Sequence, residues 1–386
     1  MEEIIAREDN LIEQEKPTIV EPIKTRDNRI DIIKAIAIIL MVIGHAIEGN
    51  MPTYLEYTHN FIYSFHMAVF FMASGFCFKE DSVKDGKSYL RFFWKKVKSL
   101  YIPYVLFNVA CLLLNNVFVS LNLYGQEMYT QSFPIKQILK AFILSGGATP
   151  FGGATWFLRT LFIISVAHGT LIFLIKKIRY GEVFIIIVAI ICLLIYCLSQ
   201  LNMVSIPFII IPCCSAYVEF AMGVAVNKLK NKLTFNFILN IIVSIISCGL
   251  LICVLFVKEY LFALINIFVG VIVCPILGWM MLWCLADIIN KGKSWLVKSL
   301  CYIGKNTMFI VLWHFVFFKP VSLIYIMVCK LPIERLAEHP VLFTETYWLW
   351  IVYTIVSIAL CLLLREVYYL VKTKIINVIN KKKVKV

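Results

Sequence analysis

The chain alternates long apolar runs with short polar breaks. Ten of the runs approach the roughly 20 residues that a helix needs to cross about 30 Å of hydrocarbon. They predict spans at 30–47, 58–78, 100–122, 154–175, 182–200, 205–226, 235–257, 260–286, 300–319 and 347–371. The expected fold is an all-α integral membrane protein of about ten transmembrane helices, with no internal repeat and no second domain. A polar tail, 1–29, precedes this 30–371 membrane domain, and a basic tail, 372–386, follows it. Two connections are long. Residues 123–153 close on SGGATPFGGATW, whose glycines and Pro150 permit a tight return to the membrane. Residues 320–346 carry Pro332, Pro340 and the charged run ERLAEH, and are expected to lie along the surface as a lid.

Composition strengthens the membrane reading. Of 386 residues, 61% are hydrophobic and 16% charged, with mean hydropathy +0.85; a soluble domain is nearer half apolar. The formal charge of +14 does not point to nucleic acid, because it is dispersed in short runs between apolar segments. With the N-terminus inside, the inner segments hold 27 Lys and Arg, and the outer ones five: Lys136, Lys140, Lys258, Lys330 and Arg335. That asymmetry predicts a multi-pass protein of the cell membrane with both termini cytoplasmic. Residues 1–29 lack the short apolar core and small-residue cleavage site of a secretory signal. The thirteen cysteines lie almost wholly inside apolar runs, so neither disulfides nor a metal site is expected.

The inner loop 79–99 differs from the others. Lys84, Arg91, Lys95 and Lys98 fall on one helical stripe, with Leu90, Phe93, Val97 and Leu100 on another. This predicts an amphipathic helix in the inner interface, serving as an anchor on anionic lipid or as a docking surface for a phosphorylated cytosolic ligand.

Ionisable groups inside spans are costly and mark function. The first span carries Lys34 and His45, eleven residues and about three turns apart, hence on one face and roughly 16 Å apart along the axis. Asp31, one turn before Lys34, offers it a partner. The orientation sends Lys34 inward and places His45, His66, His314 and Arg159 in one outer layer. His168 reads as structural, and His59 and His339 as solvated.

Five motifs occur in order: DIIKAIAIILMVIGH, FHMAVFFMASGFCF, KKVKSLYIPY, TWFLRTLF and IGKNTMFIVLWHF. Together, across residues 29–371, they resemble the membrane acyltransferase-3 family, particularly the sugar O-acetylases related to fucose 4-O-acetylase. The resemblance implies polysaccharide modification by acyl transfer across the membrane. The acyl group, usually acetyl from cytosolic acetyl-CoA, would pass to a hydroxyl of a glycan or lipid-linked sugar at the outer face. It assigns roles to Lys34 and His45 in the first motif, to Lys96 in the basic motif, and to Trp156 and His314. Ala68 stands where the family often has proline. The basic motif, often Arg-x-x-Arg, reads Lys96 and Ser99 here, so the bidentate fork is lost and phosphate contacts are expected to shift to Lys95 or Lys98.

Acyl transfer to a hydroxyl needs a base that titrates near ambient pH and a stabiliser for the oxyanion. His45 is the candidate base or transient acyl carrier, with Glu48 one turn on to orient its imidazole. His314 and His66 are further candidates. Arg159 would stabilise the oxyanion or clamp the donor, unless it pairs with Glu219. Lys34, Arg91, Lys95, Lys96 and Lys98 form the expected donor set; Lys305 and Asn306 would help line the way in. Trp156 is either a wall of the acyl tunnel or an interfacial anchor. The competing expectation is a transporter or flippase moving a sugar unmodified, against which stands the absence of paired broken helices in matching halves.

Overall fold

The computed structural model describes residues 27–48, 52–125, 138, 139, 142, 149–257 and 260–383, and these contain helices and no strands. Asp27 caps the first helix, α1 (Asn28–Ala46), by accepting from the Arg29 backbone N–H at 3.0 Å. There follow α2 (Thr53–Tyr63), α3 (His66–Phe76), α4 (Gly86–Lys96), α5 (Ile102–Leu113) and α6 (Asn115–Ser120). The remainder comprises α7 (Trp156–Ile175), α8 (Gly181–Gln200), α9 (Ile210–Leu229), α10 (Phe237–Val257), α11 (Ala263–Phe268), α12 (Cys274–Asn290), α13 (Ser294–Lys305), α14 (Thr307–Cys329) and α15 (Leu349–Lys383). The tail 1–26 and most of the 123–153 loop lie outside the described residues.

Among the described residues, eight helices are long and apolar enough to cross a membrane. The first two of the ten expected spans are not among them. Each 18-residue stretch of α1 contains Arg29, Asp31 and Lys34, and the second span is two 11-residue helices, α2 and α3. α1 and α3 occupy the interior, whereas α2 buries only Leu55 and Ile62. α1 packs against α2, α3, α12, α13, α14 and α15, so its polar groups meet protein rather than lipid. Its start is fastened to α12, with Arg29 3.6 Å from Asp287 and 4.3 Å above the Trp283 ring.

The α2–α3 break falls at Ser64–Phe65, where the sequence offers neither glycine nor proline. Phe65 is fully buried, and a Cβ at Gly278 of α12 would come within 2.6 Å of it, so the bend is fixed by tertiary packing. A proline at position 68 would sit in the first turn of α3, where its missing N–H costs little; here the break stands without it.

A close crossing joins α3 to α9. A Cβ on Gly75 would come 2.0 Å from the Phe220 carbonyl oxygen, and one on Gly223 would come 2.0 Å from that of Met72. The two backbones touch through reciprocal glycines, the packing that substitutes for a hydrophobic driving force between helices in lipid.

Several expected boundaries shift, and the third span, expected at 100–122, is found at Gly86–Leu113. The span expected to end at 319 runs through Pro320 to Cys329, because packing on α15 tolerates the one missing helical hydrogen bond. Residues 372–383 continue α15 rather than forming a separate tail. The described end of the glycine-rich loop forms a tight 3-10 turn, Pro150–Thr155, seated against α5 and α14.

Candidate functional site

The Lys34 end of α1 faces a cavity of about 680 Å³. Asp85 caps α4 by accepting from Ser88 N–H at 2.8 Å, which aims the helix along the cavity. Lys34, Lys79, Lys84, Arg91, Lys95 and Lys96 line it, with Asp81 the acidic residue among them. Lys96 reaches deepest: its Nζ donates to Ser165 Oγ at 3.3 Å, halfway along α7, and lies 5.6 Å from the Phe92 ring centre. Ser99, the second position of the basic motif, also lines the wall.

The expected stripe is only partly realised. Lys98 is exposed and outside the lining. A π turn, Val97–Tyr101, begins directly after Lys96 and its wider pitch changes the register, so Lys98, inside the turn, leaves the stripe of Lys84, Arg91 and Lys95. Phe92 is the buried apolar contact of α4, whereas Leu90 is exposed. Lys34 turns to this cavity, and no Lys34–Asp31 ion pair occurs among the described residues; Asp31 is buried. Lys305 is exposed at the α13–α14 junction and Asn306 donates to the Tyr302 carbonyl; neither lines the cavity.

The other end of α1 is built differently. His45 Nδ1 lies 2.7 Å from Glu48 Oε1, a contact that the i,i+3 spacing makes possible where the helix ends. Tyr63, the last residue of α2, donates its hydroxyl to the same Oε1 at 2.7 Å and lies 3.1 Å from Nδ1. Burial opposes ionisation of Glu48, but the hydrogen bonds and charge of His45 and the Tyr63 hydroxyl outweigh it and hold the carboxyl below its ordinary range. A carboxylate there accepts Nδ1–H and leaves the Nε2 lone pair of His45 for a proton.

The His314 ring stacks on His45 at 5.4 Å and 25°, and Phe315 packs against it at 4.9 Å. The Nδ1 atoms of both remaining histidines face helix carbonyls, His314 to Ile310 at 2.8 Å and His66 to Ile62 at 2.7 Å. His66 meets Tyr63 at 4.9 Å. His314 and His66 are fully buried, and Nε2 of His314 has no partner among the described residues. His45, Glu48, His66 and His314 thus meet in one cluster.

Two members were not visible as such in the sequence. Tyr63 belongs to no motif. His339, expected to be solvated, packs 4.9 Å from Phe315 and 6.3 Å from Phe151, covering the cluster. Burial, reinforced by the charge of Lys319, pushes the His339 pKa down to about 4. The covering segment is tied down by Lys319, whose Nζ donates to the carbonyls of Leu336 (2.9 Å) and Glu338 (2.6 Å). His59 stacks on Tyr63 at 3.9 Å rather than standing free in solvent. His168 packs at the opposite end between Phe78 and Phe220, with Nδ1 3.4 Å from the Tyr217 hydroxyl.

Arg159 lies between the two ends. It is buried in the first turns of α7, six residues and about 9 Å along the axis from Ser165, where Lys96 ends. Its charge reaches Cys213 on α9, while Glu219 lines a separate cavity. Trp156 is half-buried, 6.5 Å from Phe71, and lines neither end. On α3 the basic cavity extends to Ser74; the interval from there to His66 is eight residues, about 12 Å.

Comparison with known proteins adds one match. A family profile described as an acyltransferase domain covers residues 27–366, from the cap of α1 into α15. No curated protein and no solved structure matches the chain.

Proposed function

The chain belongs to the acyltransferase-3 family of membrane acyltransferases, which act on groups other than amino-acyl groups, and from that premise we propose a direction and a chemistry for the transfer. The donor is a cytosolic acyl-CoA, acetyl-CoA foremost, and the acceptor is a sugar hydroxyl at the extracytoplasmic side of the cell membrane. The observation that carries the proposal is that one helix joins the two ends: Lys34 in a cation-lined cavity and His45 in a carboxylate-oriented imidazole cluster.

The coenzyme's phosphates suit the basic cavity, where Lys34, Lys84, Arg91, Lys95 and Lys96 supply charge. Its acyl-bearing arm follows Lys96 toward Arg159 and crosses the remaining interval of about 12 Å to the cluster. His45 Nε2 takes the proton of the acceptor hydroxyl as its oxygen attacks the thioester carbonyl. Glu48 holds the ring and stabilises the imidazolium that forms. Arg159 or His314 supports the oxyanion. The C–S bond then breaks, the ester forms, and His45 returns the proton to the departing thiolate.

His45→Ala should abolish acylation of the acceptor in membranes with the protein still inserted; retained transfer would refute the assignment. Lys34→Ala should raise the half-saturation for acetyl-CoA. An unchanged value would remove the basic cavity from donor binding. Acetyl-CoA turnover by the purified protein separates this chemistry from transport without modification.

A further inference from the structure

A second cavity, of about 370 Å³, adjoins the His45 cluster, within the size range of small-molecule sites, about 300–1,000 Å³. It lies beside the α2–α3 break, between α3, α8, α9 and the segment 266–271 that contains the start of a second π turn, Val269–Val273. Tyr63 forms part of its wall. The same Tyr63 hydroxyl is bonded to Glu48 and sits 3.1 Å from His45 Nδ1, so the cavity and the imidazole cluster share a side chain.

Its chemistry is the opposite of that in the basic cavity. Among the described residues, no Lys or Arg lines it. Glu219 of α9 does, at 8% exposure, with no hydrogen-bond or ion-pair partner among the described residues. Ser64, Ser215 and Tyr196 add hydroxyl groups. A buried carboxyl without partners is costly inside a membrane. A ligand rich in hydroxyl groups supplies the missing hydrogen-bond partners, and the described lining offers no cation to hold a phosphate or carboxylate.

The mouth of the cavity determines how such a ligand arrives. Gly270 is exposed at the rim, and the neighbouring Leu264, Ile265 and Phe268 are large apolar side chains left uncovered. On a membrane-embedded chain these face lipid, so the mouth opens sideways into the bilayer. A water-soluble glycan has no route through it. We propose that this side cavity is the acceptor subsite, and that the acceptor is a sugar still joined to its lipid anchor; this deepens, and rests on, the acyl-transfer function above. Glu219 and the hydroxyl side chains hold the sugar, the anchor stays in lipid, and one hydroxyl is presented past Tyr63 to His45.

The test separates this subsite from the enzymatic function. The photolabel is a dodecyl hexoside carrying a diazirine beside the sugar, with diazirine-bearing dodecanol as control. The hexoside should label peptides spanning 210–229 or 263–273, with unlabelled hexoside competing, and dodecanol should not. Glu219→Leu, which keeps the size and removes the carboxyl's hydrogen bonds, should reduce labelling about tenfold, the scale of one or two neutral hydrogen bonds. Gly270→Leu should reduce it by filling the void, because a Cβ there meets nothing within 4 Å. In membranes given labelled acetyl-CoA, both substitutions should raise the half-saturation for the lipid-extractable acceptor and leave that for acetyl-CoA as it is. Labelling equal to the dodecanol control, or unaffected by both substitutions, overturns the subsite. Transfer that reaches only water-soluble polymer overturns the lipid-linked acceptor. Competed labelling without any acyl transfer supports the subsite and refutes the enzymatic function instead.

Discussion

The two ends of α1 recognise by opposite means. At the Lys34 end, flexible cations surround a wide cavity open to solvent, and Lys34, Lys95 and Lys96 can each shift without loss of the local field. At the His45 end, no Lys or Arg among the described residues is bonded to the cluster; order comes from short hydrogen bonds and ring contacts among His45, Glu48, Tyr63 and His314. A donor held by charge tolerates imprecise placement. A proton transfer does not, because base and hydroxyl must come within about 3 Å. Charge is therefore spread over several residues where binding is at stake, and concentrated on one imidazole where chemistry is.

Substitutions can break or sharpen that contrast. The largest effect is expected for Glu48→Gln, which keeps the shape but removes the carboxylate that orients His45: kcat should fall about 100-fold or more with little change in donor half-saturation. Lys96→Met should do the reverse, raising the donor half-saturation about ten-fold or more through loss of a charge-assisted contact. If both variants change the same parameter, the division between the ends fails. Tyr63→Phe should lower kcat about five-fold, the scale of one neutral hydrogen bond, because Glu48 keeps its contact with His45.

The smallest effect concerns the cover. The His339 pKa is about 4 against an ordinary 6.5, so the neutral, packed form stabilises the fold fully above pH 6.5. That contribution is lost as pH falls through about 4. Apparent melting temperatures in detergent should therefore fall more steeply over this range for the parent than for His339→Phe. Parallel pH curves would detach His339 from the packing over the cluster.

What the sequence discloses follows from distance along the chain. The helical architecture is written in the apolar runs, and the proximity of His45 to Glu48 in their spacing, because both are local. Phe65 and Gly278 lie more than two hundred residues apart, and the bend they enforce leaves no glycine or proline behind. The π turn after Lys96 likewise has no composition of its own, yet it takes Lys98 off the face that Lys95 occupies. Tyr63 and His339 join the cluster only through tertiary contacts, and Pro320 resembles a helix end that packing on α15 overrides.

The reciprocal glycine crossing of α3 and α9 has a consequence for how such a protein diversifies. α3 carries Ser74 on the basic cavity and Met67 and Ala68 on the side cavity, while α9 carries Ser215 and Glu219. With no room for a single added methyl group at Gly75 or Gly223, this pair is a fixed keel. Heritable variation in pocket shape is thereby steered to the outer planks, α8 and the 266–271 segment, which border the side cavity and not the basic one. A lineage can reshape one pocket there and leave the other as inherited.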